Sequence, residues 1–302
     1  MIFRLVVLAA LIAFPWLGLA FYTELLTSVM IFAIFAMSLD LLVGRTGLVS
    51  FGHAAYFGLA AYTLALLSPD AEAASLWLTL PAAIAVATAA ALVNGFVVLR
   101  TRGVYFIMAT LTFAQMLFYL FHDTGIGGGS DGRYINFKPD AAFIDIGEPR
   151  TFYYFVLALL ILVYLFLGRL LRSPFGRALA GIKANEQRME SLGFPVRRYK
   201  LGSFTIGGAI AGIAGYLFAC QYGFVNPDVL SWQQSGNVLL MLILGGLGRL
   251  GGGFAGALAF VGLKEVFSTL TKHWQLPMGL AIIALVLFLP GGIASLGRRT
   301  RG

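Results

Sequence analysis

The stretch VGRTGLVSFGHAAYFGLAAY, residues 43–62, decides how the chain is read. Three glycines, Gly44, Gly47 and Gly52, alternate with Arg45, Thr46, Ser50 and His53. The part from Gly44 to Gly52 lies between apolar runs at Leu25–Val43 and His53–Leu67. Glycine permits irregular backbone, and polar side chains at membrane depth are costly enough to mark function. The segment therefore reads as an interrupted membrane helix that lines a path.

The rest of the chain agrees with a membrane setting. Of 302 residues, 59% are hydrophobic and 11% charged, with a mean hydropathy of +0.87. A soluble domain carries about 25% charged residues, so this chain could not cover a water-facing surface. Disordered chains are polar and poor in aromatics, which excludes that class too. Further apolar runs occur at Ile2–Phe21, Leu76–Leu99, Val104–Phe121, Phe152–Leu171, Leu201–Gln221, Val238–Gly248, Phe254–Phe267 and Leu276–Pro290. A spanning helix needs about 20 residues, so the expectation is an all-α polytopic protein of about 8–10 membrane segments. The first run, with Arg4 near its start and small residues near Ala20, is expected to be a retained helix rather than a cleaved signal. The net charge of +8 is a matter of membrane orientation, not of nucleic acid.

Orientation follows from Lys and Arg, which favour cytoplasmic loops. Arg4, Arg100, Arg102, Arg169, Arg172, Arg177, Lys183, Arg188, Arg197, Arg198, Lys200, Arg298, Arg299 and Arg301 form one set, and acidic residues such as Asp70, Asp123, Asp131 and Asp145 collect opposite. Both termini and the 171–200 loop are thus expected in the cytoplasm. Parity then requires two hairpins that begin and end outside, at 25–67 and 238–267. The runs at 53–67, 238–248 and 254–267 are short and read as half-helices, although two full spans with a cytoplasmic turn remain an alternative for the first hairpin. At an offset of 201 residues, Gly44, Gly47 and Gly52 align with Gly245, Gly248 and Gly253, which suggests an internal parallel repeat. One domain over 1–302 is expected: a first half at 1–121, an external loop at 122–151 and a second half at 152–302. The glycine run Gly127–Gly129 is expected in a mobile part of that loop.

Enzymatic chemistry finds no foothold. The sequence has no GxxxxGK[ST] loop and no GxSxG element. His53, His122 and His273 lie far apart with no metal-ligand spacing, and Cys220, within an apolar run, reads as a small buried hydrophobe. Asp40 is a candidate partner for Arg45 or a protonated group. The loop SPFGRALAGIKANEQRMESLGFPVRRYKL, residues 173–201, repeats Ala178, Ile182, Glu186, Met189 and Leu192 at helical spacing and stops at Gly193 and Pro195. It reads as one amphipathic helix, for a partner groove or lipid headgroups. Gly208, Gly212 and Gly215, and later Gly252 and Gly256, are spaced for close helix contact.

These stretches, with GGGSDG and NPDVLSW…LLMLILGGLGRLGGGFAGA, resemble the LivM-type permeases of branched-chain amino acid ABC transporters. The resemblance implies a transport subunit that moves leucine, isoleucine or valine. It also implies a LivH-type permease partner, two cytoplasmic ABC ATPase subunits that hold ATP and Mg, and an external amino-acid-binding protein. No cofactor is implied on this chain, and its setting would be the bacterial inner membrane with its lipid. Carried over by position, Gly44, Arg45, Thr46, Gly47, Ser50, Gly52 and His53 would line the translocation pathway, and the reading of the residues adds Asp40, Gly245 and Gly248 to it. Gly176, Arg177, Ile182, Asn185, Glu186, Arg188 and Gly193 would form the ATPase-coupling loop. Related permeases carry urea, short amides or aromatic acids. A stand-alone secondary transporter using Asp40 and His53 is the rival class.

Overall fold

The structure is a computed structural model and describes residues 2–69, 71–141, 145–289 and 291–295. Asp70, the end of the Leu276–Pro290 run and the basic tail Arg298, Arg299 and Arg301 lie outside the described residues, as does the side chain of Arg4. Seven helices are long and apolar enough to cross a membrane among the described residues. The order is α1 (Ile2–Ala13), α2 (Ala20–Thr46), α3 (Ala54–Leu67), α4 (Leu76–Val98), α5 (Val104–Asp123), α6 (Pro149–Arg172), α7 (Pro174–Ala184), α8 (Glu186–Ser191), α9 (Val196–Tyr222), α10 (Trp232–Gly245), α11 (Leu250–Leu270) and α12 (Gln275–Phe288).

Two long helices, α2 and α9, form the centre, with 89% and 72% of their most apolar windows buried. Small residues bring their neighbours close. A Cβ added at Gly208 would meet Ala91 of α4, one at Gly212 would lie 2.6 Å from the Ala87 Cβ, and one at Gly215 would strike the Phe57 carbonyl of α3. The spacing of Gly208, Gly212 and Gly215 thus does what close packing in lipid requires, where dispersion rather than hydrophobicity joins helices. Polar side chains lock the same bundle from within. The Thr79 and Tyr216 hydroxyls lie 2.7 Å apart, and Asn94 Nδ2 donates to the Tyr56 hydroxyl at 2.6 Å.

Four expectations need correction. The run Ile2–Phe21 is not one helix: α1 ends at Ala13, a short 3-10 turn spans Phe14–Leu17, and α2 starts at Ala20. Pro15 and the left-handed Gly18 (φ 72°) account for the break. The 254–267 run is not a half-helix, because α11 covers 21 residues. The amphipathic loop helix is split into α7 and α8 at Asn185, whose extended backbone (φ −161°) ends one helix while its side chain accepts from Arg188 N and caps the next. Finally, the glycine run expected in a mobile external loop is folded. Gly127 fits against Tyr62 and Phe121, and the strand β1 (Arg133–Tyr134) pairs antiparallel with β2 (Phe224–Val225), just beyond α9.

Candidate functional site

The two interrupted units meet. The first break begins where Gly47 (φ 76°) ends α2 in the left-handed region, its amide bonded to the Leu42 carbonyl. Residues 48–53 then run back along α2 until α3 starts. The His53 Nε2 lies 2.8 Å from the Ser38 Oγ, which itself donates to the Phe35 carbonyl at 2.6 Å. Ser38 is eight residues before the end of α2, so α3 begins about 12 Å from that end and about 27 Å from the other. Stacking of Phe35 on His53 and on Phe57 carries α3 antiparallel to α2.

The second break, between α10 and α11, lies against the end of α2. Gly248 (φ 75°) donates its amide to Asp40 Oδ1 at 2.7 Å, and a Cβ on Gly44 would fall 2.7 Å from that same nitrogen. Gly245 fits onto the Gly252 carbonyl and Gly256 onto the Met241 carbonyl, contacts that leave no room for a side chain. The start of α10 sits beside the start of α3: Ala54 N donates to Ser235 Oγ at 2.9 Å, and the Phe51 and Trp232 rings are 6.5 Å apart. From this shared point α3 runs toward the beginning of α2, and α10 toward its end. Two helix N-termini, each carrying partial positive charge, therefore start together well inside the length of α2.

The expected pathway residues thus fall into one assembly. Asp40, Thr46, Ser50 and His53 are buried. Thr46 donates to the Leu42 carbonyl at 2.6 Å, and Ser50 Oγ accepts from Gly52 N at 3.3 Å. A Cβ on Gly52 would strike the Thr110 carbonyl of α5. Arg45 is half-buried and its Nε has no partner. Asp40, an expected partner of Arg45, instead receives the Gly248 amide.

The loop residues divide into two groups. Gly176 and Ile182 are buried against the bundle, whereas Arg177, Arg188 and Gly193 are exposed. Glu186 accepts from Lys200 Nζ at 2.6 Å and lies 3.9 Å from Arg102, which also reaches Glu190 at 3.6 Å. Gly193 (φ 82°) ends the short helix. The link between loop and break is a residue missed above: Lys183 Nζ donates to the Gly44 carbonyl at 2.8 Å. Ser38, Ser235, Arg102 and Lys200 were missed as well. Only Ser38, a polar residue inside an apolar run, left a trace in the sequence.

A bundle of long helices interrupted by two paired breaks, with a basic loop seated on one of them, defines a polytopic transport protein rather than an enzyme. The family model described as branched-chain amino acid transport system / permease component matches residues 21–290, and the chain belongs to this family. It is 31% identical to the high-affinity branched-chain amino acid transport system permease protein LivM of Escherichia coli K12, over 98% of this chain and 75% of that protein. It is 31% identical to the E. coli K12 LivH permease over 42% of this chain and 41% of that one. A 32% match to the autoinducer 2 import system permease protein LsrC of Klebsiella pneumoniae covers 40% of this chain and 35% of that protein. No solved structure matches the chain. The family membership and the seven long apolar helices make this a multi-pass inner-membrane protein of the ABC transporter permease class.

Proposed function

We propose that the chain is one permease subunit of an ATP-driven importer for leucine, isoleucine and valine. It pairs with a LivH-type permease, two cytoplasmic ABC ATPases supply the energy from ATP and Mg, and an external binding protein delivers the solute. Both termini and the α6–α9 loop face the cytoplasm, in keeping with the basic residues gathered there. The observation that carries the reading is the contact from Lys183 on the loop to Gly44, three residues before Gly47 at the first break and beside Gly248 of the second. A displacement of α7 therefore moves the first break against the second through one side chain. In this reading the residues from Asp40 to His53, with Gly245 and Gly248, are the gate. The loop from Gly176 to Gly193 is the coupling element, with Arg177 and Arg188 free to meet the ATPase. Selectivity rests with the binding protein, since apolar walls tolerate any aliphatic side chain.

Reconstitution tests this. The chain in liposomes together with a LivH-type permease, both ATPases and the binding protein is expected to take up leucine only with ATP. The chain alone is expected to move none along a proton or sodium gradient. Gradient-driven uptake by the isolated chain would overturn the reading in favour of a secondary transporter.

A further inference from the structure

One face of the molecule does not suit lipid. The exposed sides of α4 and α6 carry Val93, Val97, Leu162 and Leu165. Between α5 and the start of α10, by contrast, lies a half-open cavity of about 500 Å³ whose wall sets Gln115, Asp228, Ser231, Gln233, Gln234 and Asn237 beside two aromatic rings of α5. Gln115 stands eight residues before the end of α5, about 12 Å along the helix. The α10 residues flank Ser235, which joins the start of α3 inside the length of α2. Amides at such depth are expensive against hydrocarbon, and such groups face the protein interior or water.

The donors and acceptors of this wall are unbalanced. Asn237 Nδ2 is directed at Gln234 Oε1 at 3.4 Å, and Asn226 donates to Asp228 Oδ2 at 2.9 Å. Gln115 Oε1 is buried with nothing to accept from. A carboxylate on the cavity and an orphaned amide oxygen one side-chain rotation away from it call for a donor with several protons, which an ammonium group is. The positive end of α10, where the Ser231 side chain accepts only from Gln234 N at 3.4 Å, supplies the opposite pole for a carboxylate.

We propose that this cavity is a water-filled station on the solute's route, and that Asp228 and Gln115 hold the ammonium group of a small zwitterion in transit. The proposal rests on the importer reading for its solute, but its water-filled character does not. Single cysteines at Gln115, Gln234 and Asn237 in a Cys220→Ala background, with Val93 and Leu162 as controls, would be exposed to a membrane-impermeant anionic methanethiosulfonate in native membranes. Cysteine reactivity follows exposure to water, so the cavity positions are expected to react at least about tenfold faster than the controls, and leucine with the binding protein is expected to slow them. Rates equal to the controls would overturn the water-filled cavity, and labelling that leucine does not slow would overturn the station. Loss of one charge-assisted hydrogen bond at Asp228→Asn is expected to raise the KM for leucine uptake about tenfold, with Asp228→Glu restoring it. An unchanged KM would remove Asp228 from ammonium binding. Labelling needs no turnover. Reactive cysteines in a chain that imports nothing under ATP would therefore sink the importer reading and leave the cavity assignment standing.

Discussion

In the first interrupted unit a helix of 27 residues precedes one of 14, whereas in the second a helix of 14 precedes one of 21. Both turn through glycines, but they are secured by different means. At the first break, side chains do the fastening: Ser38 bonds His53, Thr46 bonds Leu42, and Phe35 stacks on His53. The second is fastened by the absence of side chains, with Gly245, Gly252 and Gly256 laid backbone to backbone. Hydrogen bonds tolerate small rearrangements, while backbone contact allows none. The first unit is therefore the adjustable partner and the second the rigid one, with Asp40 to Gly248 as their shared bond.

Substitutions at four positions test that contrast, taken from the largest expected effect on stability to the smallest. Gly256→Leu forces a side chain onto the Met241 carbonyl and to 2.9 Å from Gly245 N, where only backbone can yield. It is expected to cost about 3 kcal/mol or more, measured as lost yield and a lower Tm of the detergent-solubilised protein. Asp40→Ala strands the Gly248 amide and is expected to cost about 2 kcal/mol, whereas Asp40→Asn keeps an acceptor and recovers most of it. If the alanine and asparagine variants melt alike, the shared bond does not join the units. Ser38→Ala, in the adjustable unit, is expected to cost about 1 kcal/mol. A loss as large as that of Gly256→Leu would erase the distinction between the two breaks. Lys183→Met lies on an exposed residue and is expected to change stability by less than about 0.5 kcal/mol. It should nonetheless lower leucine-stimulated ATPase activity of the reconstituted transporter, and unchanged stimulation would show that α7 does not act through Gly44.

The helical core was legible because apolar runs have a length and a boundary. The run Leu76–Leu99 became α4 at Leu76–Val98, and Val104–Phe121 became α5 at Val104–Asp123. The breaks were legible because glycine clusters interrupt apolar sequence only where the backbone needs them. Their meeting was not, since no local pattern ties Gly44 to Gly248 or Ala54 to Ser235. The start of α10 was also hidden: Trp232 to Asn237 is polar on a face that abuts a cavity, so the apolar run seemed to open only at Val238. The same rule misjudged α11, where the glycines from Gly251 to Gly253 read as a turn although Gly252 and Gly253 serve close helix packing. Lys183 looked like any cation of a basic loop, and only tertiary structure separates it from Arg177.

The ribbon of β1 and β2 has a mechanical meaning. Tyr134 pairs with Phe224, and a few residues later the chain enters the turn that leads into α10. Whatever grips the ribbon between α5 and α6 is thereby holding a lever arm whose short end is the start of α10, which Ser235 ties to the start of α3.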